Sequence, residues 1–245
     1  MDVNLKVNMS DKKLPGLSEV LEKMRQMKHE TTADYMKIFA TIAPYYNEYV
    51  AELDSSAQKY AVKVLSDVVE KDAHCDKSSM SIIDFAAGTG LICKKLREMG
   101  FKGAIDAQDG SDAMLAIGAP LYRQTFCFLL EENTKIPPEL SNGAYDASVL
   151  CGGFFPSQVE VGCLKFIIDA VRPGGYVVFT LQLRPSYEEF VERLERKCSD
   201  LEKEGVWKLQ SRLRVEKFQI IPYHFEKKTS SDYLPGLVLC YQKIA

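Results

Sequence analysis

From Ser81 onward, short unbroken apolar strings alternate with stretches whose apolar residues recur every three or four positions. "SIIDFA", "GAIDAQ", "TFCFLL", "YDASVLCG" and "GYVVFTLQ" read as strands, and residues 90–99, 112–119 and 158–171 between them as helices, the last with Val161, Leu164, Ile168 and Val171 on one side. Strands buried on both faces lose the apolar-polar alternation, and their regular exchange with helices predicts an α/β, doubly wound, Rossmann-like parallel sheet. "PSYEEFVERLERKCSDLEKEG" then predicts a helix with a capping-box pair, Ser186 and Glu189, stopping at Gly205. Two further strands, about 207–221 and 236–244, have no helix between them, so the sheet is expected to end in an antiparallel hairpin.

Before Ser81 the pattern is helical. Leu17, Val20, Leu21, Met24 and Met27 share one spacing, and Tyr35, Ile38, Phe39 and Ile42 another, ahead of Pro44. Asp54 or Ser55 is placed to cap a third helix carrying Ala57, Ala61, Val64, Leu65 and Val68. This divides the chain into an amino-terminal tail and helical lid, 1–53, and one sheet domain, 54–245. Composition adds limits. A net charge of −3, with no lysine-arginine block longer than two, lacks the basic footprint of nucleic-acid binding. Seven cysteines without a CxxC pair read as reduced thiols, and no apolar run is long enough for a signal peptide or a membrane span. A cytoplasmic or nuclear protein is expected.

The candidate chemistry lies in "IIDFAAGTGL". A nicotinamide fingerprint needs a third glycine where Cys93 stands, and a Walker loop needs a GK[ST] that is missing. What remains is a GxG turn, Gly88 and Gly90, after a strand bearing Asp84, with Asp109 closing the next strand at the position from which a carboxylate reaches a ribose diol. A nucleoside ligand without required pyrophosphate follows.

In order and spacing, "IIDFAAGTGL", "IDAQDGSDAML", "YDASVLCGGF" and "AVRPGGYVVFTLQ" resemble the blocks of class I S-adenosylmethionine-dependent methyltransferases, and within them the methyltransferase-like 27 type. The resemblance implies a seven-stranded sheet and S-adenosylmethionine as cofactor, with S-adenosylhomocysteine as its product. It implies that Ala86, Gly88 and Gly90 lie against the methionine part, that Asp84 meets the amino group or orients the loop, and that Asp109 holds the ribose. Gly110 and Met114 would pack near the adenine, Glu131 or Glu132 would meet its edge, Cys151 and Gly152 would flank the methyl, and Tyr46 would reach in from the lid. Ala86 stands where the family has its first glycine, an exchange tolerable at negative φ, and "LLEENT" lacks the usual adenine-binding Asp.

Methyl transfer needs alignment and water exclusion, and a base only where the nucleophile must lose a proton. His224, with Tyr223, is either an acceptor-pocket group or base, or a surface loop residue; "FFPS", 154–157, is either a pocket rim or the apolar start of a helix. "CGGF" after the fourth strand differs from the Asn/Asp-Pro-Pro-aromatic sequence of planar-nitrogen methylation and offers no hard oxygen ligand for Mg²⁺, so no metal is expected. A small-molecule N, O or S acceptor is the leading class. The alternatives are a cofactor-binding protein without transfer activity, serving as a regulatory module or partner, and a protein side-chain methyltransferase.

Overall fold

A computed structural model describes residues 31–220 and 233–244. Its seven-stranded sheet has the order β3-β2-β1-β4-β5-β7-β6, with β1 Ile82–Phe85, β2 Ile105–Asp109, β3 Thr125–Cys127, β4 Tyr145–Leu150, β5 Val171–Gln182, β6 Trp207–Ile220 and β7 Tyr233–Lys243. The first five strands are parallel, and β7 runs antiparallel to both β5 and β6. Chain direction along the sheet reverses at β1, where β2 lies on one side and β4 on the other, and open α/β sheets place their ligand crevice at the strand ends there.

Every residue of β1 is buried, which is why it reads as a continuous apolar string broken only by Asp84. Ile82 joins the core on one face with α3 (Ala57–Val69) and α4 (Leu91–Glu98), while Ile83 and Phe85 join the other with α6 (Leu164–Asp169) and α7 (Glu188–Lys203). The second face ends in a stack of Trp207 on Tyr241, ring centroids 4.0 Å apart, and the indole nitrogen donates to the Cys198 carbonyl at 3.0 Å. All seven cysteines are free thiols.

The lid consists of α1 (Thr32–Ile42), a 3-10 turn (Ala43–Tyr45) and α2 (Tyr46–Glu52). A true capping box starts it, Thr31 with Asp34. Ile42, Ala43, Tyr49 and Leu53 pack on Met114 of α5 (Asp112–Gly118), so burial rather than helix propensity holds these short helices down. The first predicted helix, around Leu17–Met27, lies outside the described residues.

Three local expectations are corrected. The helix predicted over 158–171 reduces to a 3-10 turn, Val161–Cys163, and α6, and Val171 already begins β5, because its apolar side chain belongs to a strand buried on both faces. Ser186 and Glu189 form no capping box: Pro185–Tyr187 is a 3-10 turn and Tyr187 takes the N-cap place without a side-chain cap. Neither Asp54 nor Ser55 caps α3; Ser56 precedes it, and its Oγ is drawn off to the Phe218 carbonyl at 2.9 Å. Gly205 does end α7, at φ +75°, with the Val206 N–H donating back to the Leu201 carbonyl.

Candidate functional site

At the carboxyl ends of β1, β2 and β4 the chain forms a cleft roofed by α1 and α2, at the place where open α/β sheets bind their ligands. Tyr46, Ala86, Gly88, Asp109, Gly110, Met114, Cys151 and Gly152, all expected there, line it. Thr32, Met36 and Phe39 of α1 also line it, as do Gln108, Leu129, Leu130, Gly153, Gln158 and Val159, none of which the sequence singled out for this place.

Asp109 organises the glycine turn. Its Oδ2 accepts the Gly88 N–H and its Oδ1 the Ser111 N–H, each at 2.8 Å, so one carboxylate ties the turn after β1 to the start of α5. Burial raises its pKa and these backbone donors act against that rise. Four lone-pair sites on an ionised carboxylate leave capacity for a ligand hydroxyl beside them. Gln108 braces the same floor, its Nε2 donating to the Phe128 carbonyl at 2.5 Å and its Oε1 accepting the Ala86 N–H at 3.5 Å.

Ala86 is held at φ +52°, so the negative φ at which alanine would replace the glycine without strain is not met. In the turn that follows, the Gly88 N–H meets Asp109, and an L-residue pays about 1 kcal/mol or more to sit in the left-handed region. Its methyl is also the reason for a neighbouring glycine: a Cβ built at Gly153 would lie 2.9 Å from the Ala86 Cβ. Ala86→Gly is therefore expected to raise stability by ~0.5–1 kcal/mol, read as a higher thermal midpoint, without weakening ligand binding. A lower midpoint would mean that the methyl's packing outweighs the strain.

Asp84 and Gly90 do not reach the cleft surface. Asp84 is 1% exposed; Tyr122 Oη donates to its Oδ2 at 2.7 Å, its Oδ1 has no partner, and burial pushes its pKa up to about 8. Gly90, at φ +86°, is packed where a Cβ would meet Leu121 at 2.6 Å, so it serves the closeness of turn and helix. Glu131 and Glu132 are exposed and stand outside: the Glu131 N–H bonds Thr134 in a tight turn, and the Glu132 carboxylate lies against Gly162. Thr89 Oγ1 donates to Asn47 Oδ1 at 2.5 Å, pinning the lid to the glycine turn, and Tyr46 lies 3.8 Å from where a Gly88 Cβ would be. The phenol of Tyr46 is shifted upward by burial and by nearby Asp109.

Cys151 is no nucleophile at neutral pH, since burial pushes its thiol up to about 12. "FFPS" divides: Phe154 is core, edge-on to Phe179 at 5.3 Å, while Phe155 stands between Tyr35 and Tyr187, ring centroids 6.2 and 6.0 Å away. His29, Tyr223 and His224 lie outside the described residues. Among the described residues, no group of three metal-binding side chains occurs and no helix is long and apolar enough to cross a membrane.

No family model matches the chain. It is 33% identical over 168 residues to methyltransferase-like protein 27 of Homo sapiens, a match covering 67% of this chain and 64% of that relative. The chain is similar to a methyltransferase-like protein, and its sheet has the seven strands and antiparallel last pair that the class I S-adenosylmethionine-dependent methyltransferase resemblance implied. The match spans less than two thirds of that relative's length. Within the same fold, the [4+2]-cyclase SpnF superposes with a TM-score of 0.62 at 14% identity, covering 89% of this chain and 99% of that one. A chain in the complex of the Haloferax volcanii Trm112 methyltransferase activator superposes at 0.59 and 14% identity, over 84% of this chain and 98% of that one. The last two likenesses establish the fold alone.

Proposed function

We propose that the protein binds S-adenosylmethionine in the cleft and transfers its methyl group to a small-molecule N, O or S acceptor. The observation that carries this reading is Asp109, a buried carboxylate at the end of β2 whose two oxygens are organised by the glycine turn and by α5. The cleft fits the cofactor on its own geometry. Gly152, at φ +78°, faces open space where a Cβ would have no neighbour within 4 Å, and Asp109 lines the cleft with both oxygens fixed by backbone donors.

Asp109 would hold the ribose hydroxyls, Gly88 and Ala86 the methionine part, and Met114 with Leu130 the base. When bound, the cofactor supplies a sulfonium methyl whose leaving group is a neutral thioether. The chain's contribution is alignment and exclusion of water: Tyr46 and Phe39 close from the lid, and Cys151 and Gly152 leave a smooth, uncharged wall beyond β4. Asp109 is the one carboxylate among the described residues that line the cleft, and both its oxygens hold backbone N–H groups, while Asp84 does not reach the cleft surface, so an acceptor that needs deprotonation would find its base elsewhere.

The related protein's name gives a methyltransferase and no acceptor, and the same fold hosts a geranyl diphosphate methyltransferase (TM-score 0.50, 11% identity), an RNA methyltransferase of Pyrococcus horikoshii (0.53, 13%) and the SpnF cyclase, so the small-molecule reading rests on the enclosed cleft and on the absence of a basic footprint in the sequence. Incubation of a cell extract with the protein and methyl-labelled cofactor separates the readings. Label is expected in the low-molecular-weight fraction. Label in the protein fraction would point to side-chain methylation, and none, with the cofactor bound, to a regulatory module.

A further inference from the structure

Gln158 lines the cleft and is 8% exposed, yet its Nε2 meets no hydrogen-bond acceptor. A buried donor left so is costly unless a ligand takes it. The other buried polar side chains of the cleft are committed: Gln108 donates to Phe128, and Asp109 accepts from Gly88 and Ser111. The backbone fixes Gln158 in place. Its N–H donates to the Phe155 carbonyl at 3.1 Å, and the Phe154–Val159 bridge closes the loop on either side.

The position of that loop decides what the amide faces. Cys163 Sγ donates to the Leu130 carbonyl at 3.3 Å, which holds residues 158–163 against the exit of β3. Gln158 lines the same cleft as Leu130, Val159 and Met114, whose apolar side chains suit the faces of a flat ring. Glu131 and Glu132, on the neighbouring turn, are exposed and are not among the residues that line the cleft. With Asp109 on the ribose, the attached base would enter this apolar end, and its edge would find one free side-chain donor.

We propose that Gln158 reads the adenine of the cofactor, its Nε2 donating to one of the three ring nitrogens that carry a free lone pair in the nucleoside. This rests on the cofactor reading above. A carboxamide presents a donor and an acceptor side by side, the pattern that matches an adenine edge.

The 1-deaza, 3-deaza and 7-deaza analogues of S-adenosylhomocysteine each replace one ring nitrogen by C–H, and calorimetric titration of the full chain with all three tests the assignment. One analogue is expected to bind about tenfold more weakly than S-adenosylhomocysteine itself. In Gln158→Leu the parent ligand should weaken by about the same factor and the difference between parent and analogue should vanish. If the Leu variant does not fold, Gln158→Glu removes the donor at equal length and the same losses are expected. Equal binding of all three analogues by the wild-type chain, or a difference that persists in the variants, overturns the role of Gln158 while leaving the cofactor site standing. Failure of the wild-type chain to bind S-adenosylhomocysteine overturns the cofactor reading itself.

Discussion

Asp109→Ala is expected to weaken S-adenosylhomocysteine binding by about a hundredfold. Two charge-assisted bonds to the ribose hydroxyls are lost, each worth ~1.5–3 kcal/mol where water is excluded, against a partial recovery through solvent. The substitution also strips the Gly88 and Ser111 N–H groups of their acceptor, so the turn itself loosens. Titration calorimetry checks the affinity, and circular dichroism confirms that the sheet persists. Glu131→Ala, outside the cleft, is the matched control and should change affinity less than twofold. Loss of affinity in the control as large as in Asp109→Ala would remove the ribose assignment.

The second large effect concerns Asp84 and pH. Its carboxyl titrates near 3.8 in the unfolded chain and at about 8 in the folded one, raised by burial. The folded state therefore keeps a proton that the unfolded state releases, and this group's contribution to stability declines as pH rises from about 4 to about 8, by at most ~1.4 kcal/mol per pH unit. Below the unfolded value both states are protonated and the slope from this group disappears. Asp84→Asn keeps an acceptor for Tyr122 Oη but cannot ionise. The stability difference between variant and wild type should move in the variant's favour by roughly 2–5 kcal/mol between pH 4 and pH 8. Denaturant unfolding at several pH values measures it. A difference that stays constant across the window would mean that Asp84 is ionised in the folded protein.

These sites were legible to different depths in the sequence. β1, β2 and β4 announced themselves because strands buried on both faces are written as unbroken apolar strings, and the GxG turn and Asp109 follow at their carboxyl ends. The shortened 158–171 helix was not legible, since Val161, Leu164 and Val171 satisfy helical spacing while Val171 pairs with Tyr145 of β4. Ser186 and Ser56 illustrate a similar limit: a capping residue type says nothing about whether the chain arrives with capping geometry. Ala86 stands in a glycine's place, and the condition for tolerating it, a negative φ, is not met at φ +52°, because the demand comes from the turn's direction rather than from the residue. Gln108 and Gln158 carried no signal at all. A single glutamine becomes informative only when burial and the absence or presence of partners are known. Ile38, Phe39 and Ile42 read as one helical face, but that Phe39 roofs the cleft depends on packing against Met114, seventy-odd residues away.

The central claim is that the cleft between the lid and the carboxyl ends of β1, β2 and β4 is an S-adenosylmethionine site. Titration calorimetry of the full chain with S-adenosylhomocysteine tests it most directly. One molecule should bind per chain with a dissociation constant in the micromolar range, and the heat should all but vanish in Asp109→Ala at the same concentrations. No binding by the wild-type chain at millimolar ligand would contradict the account.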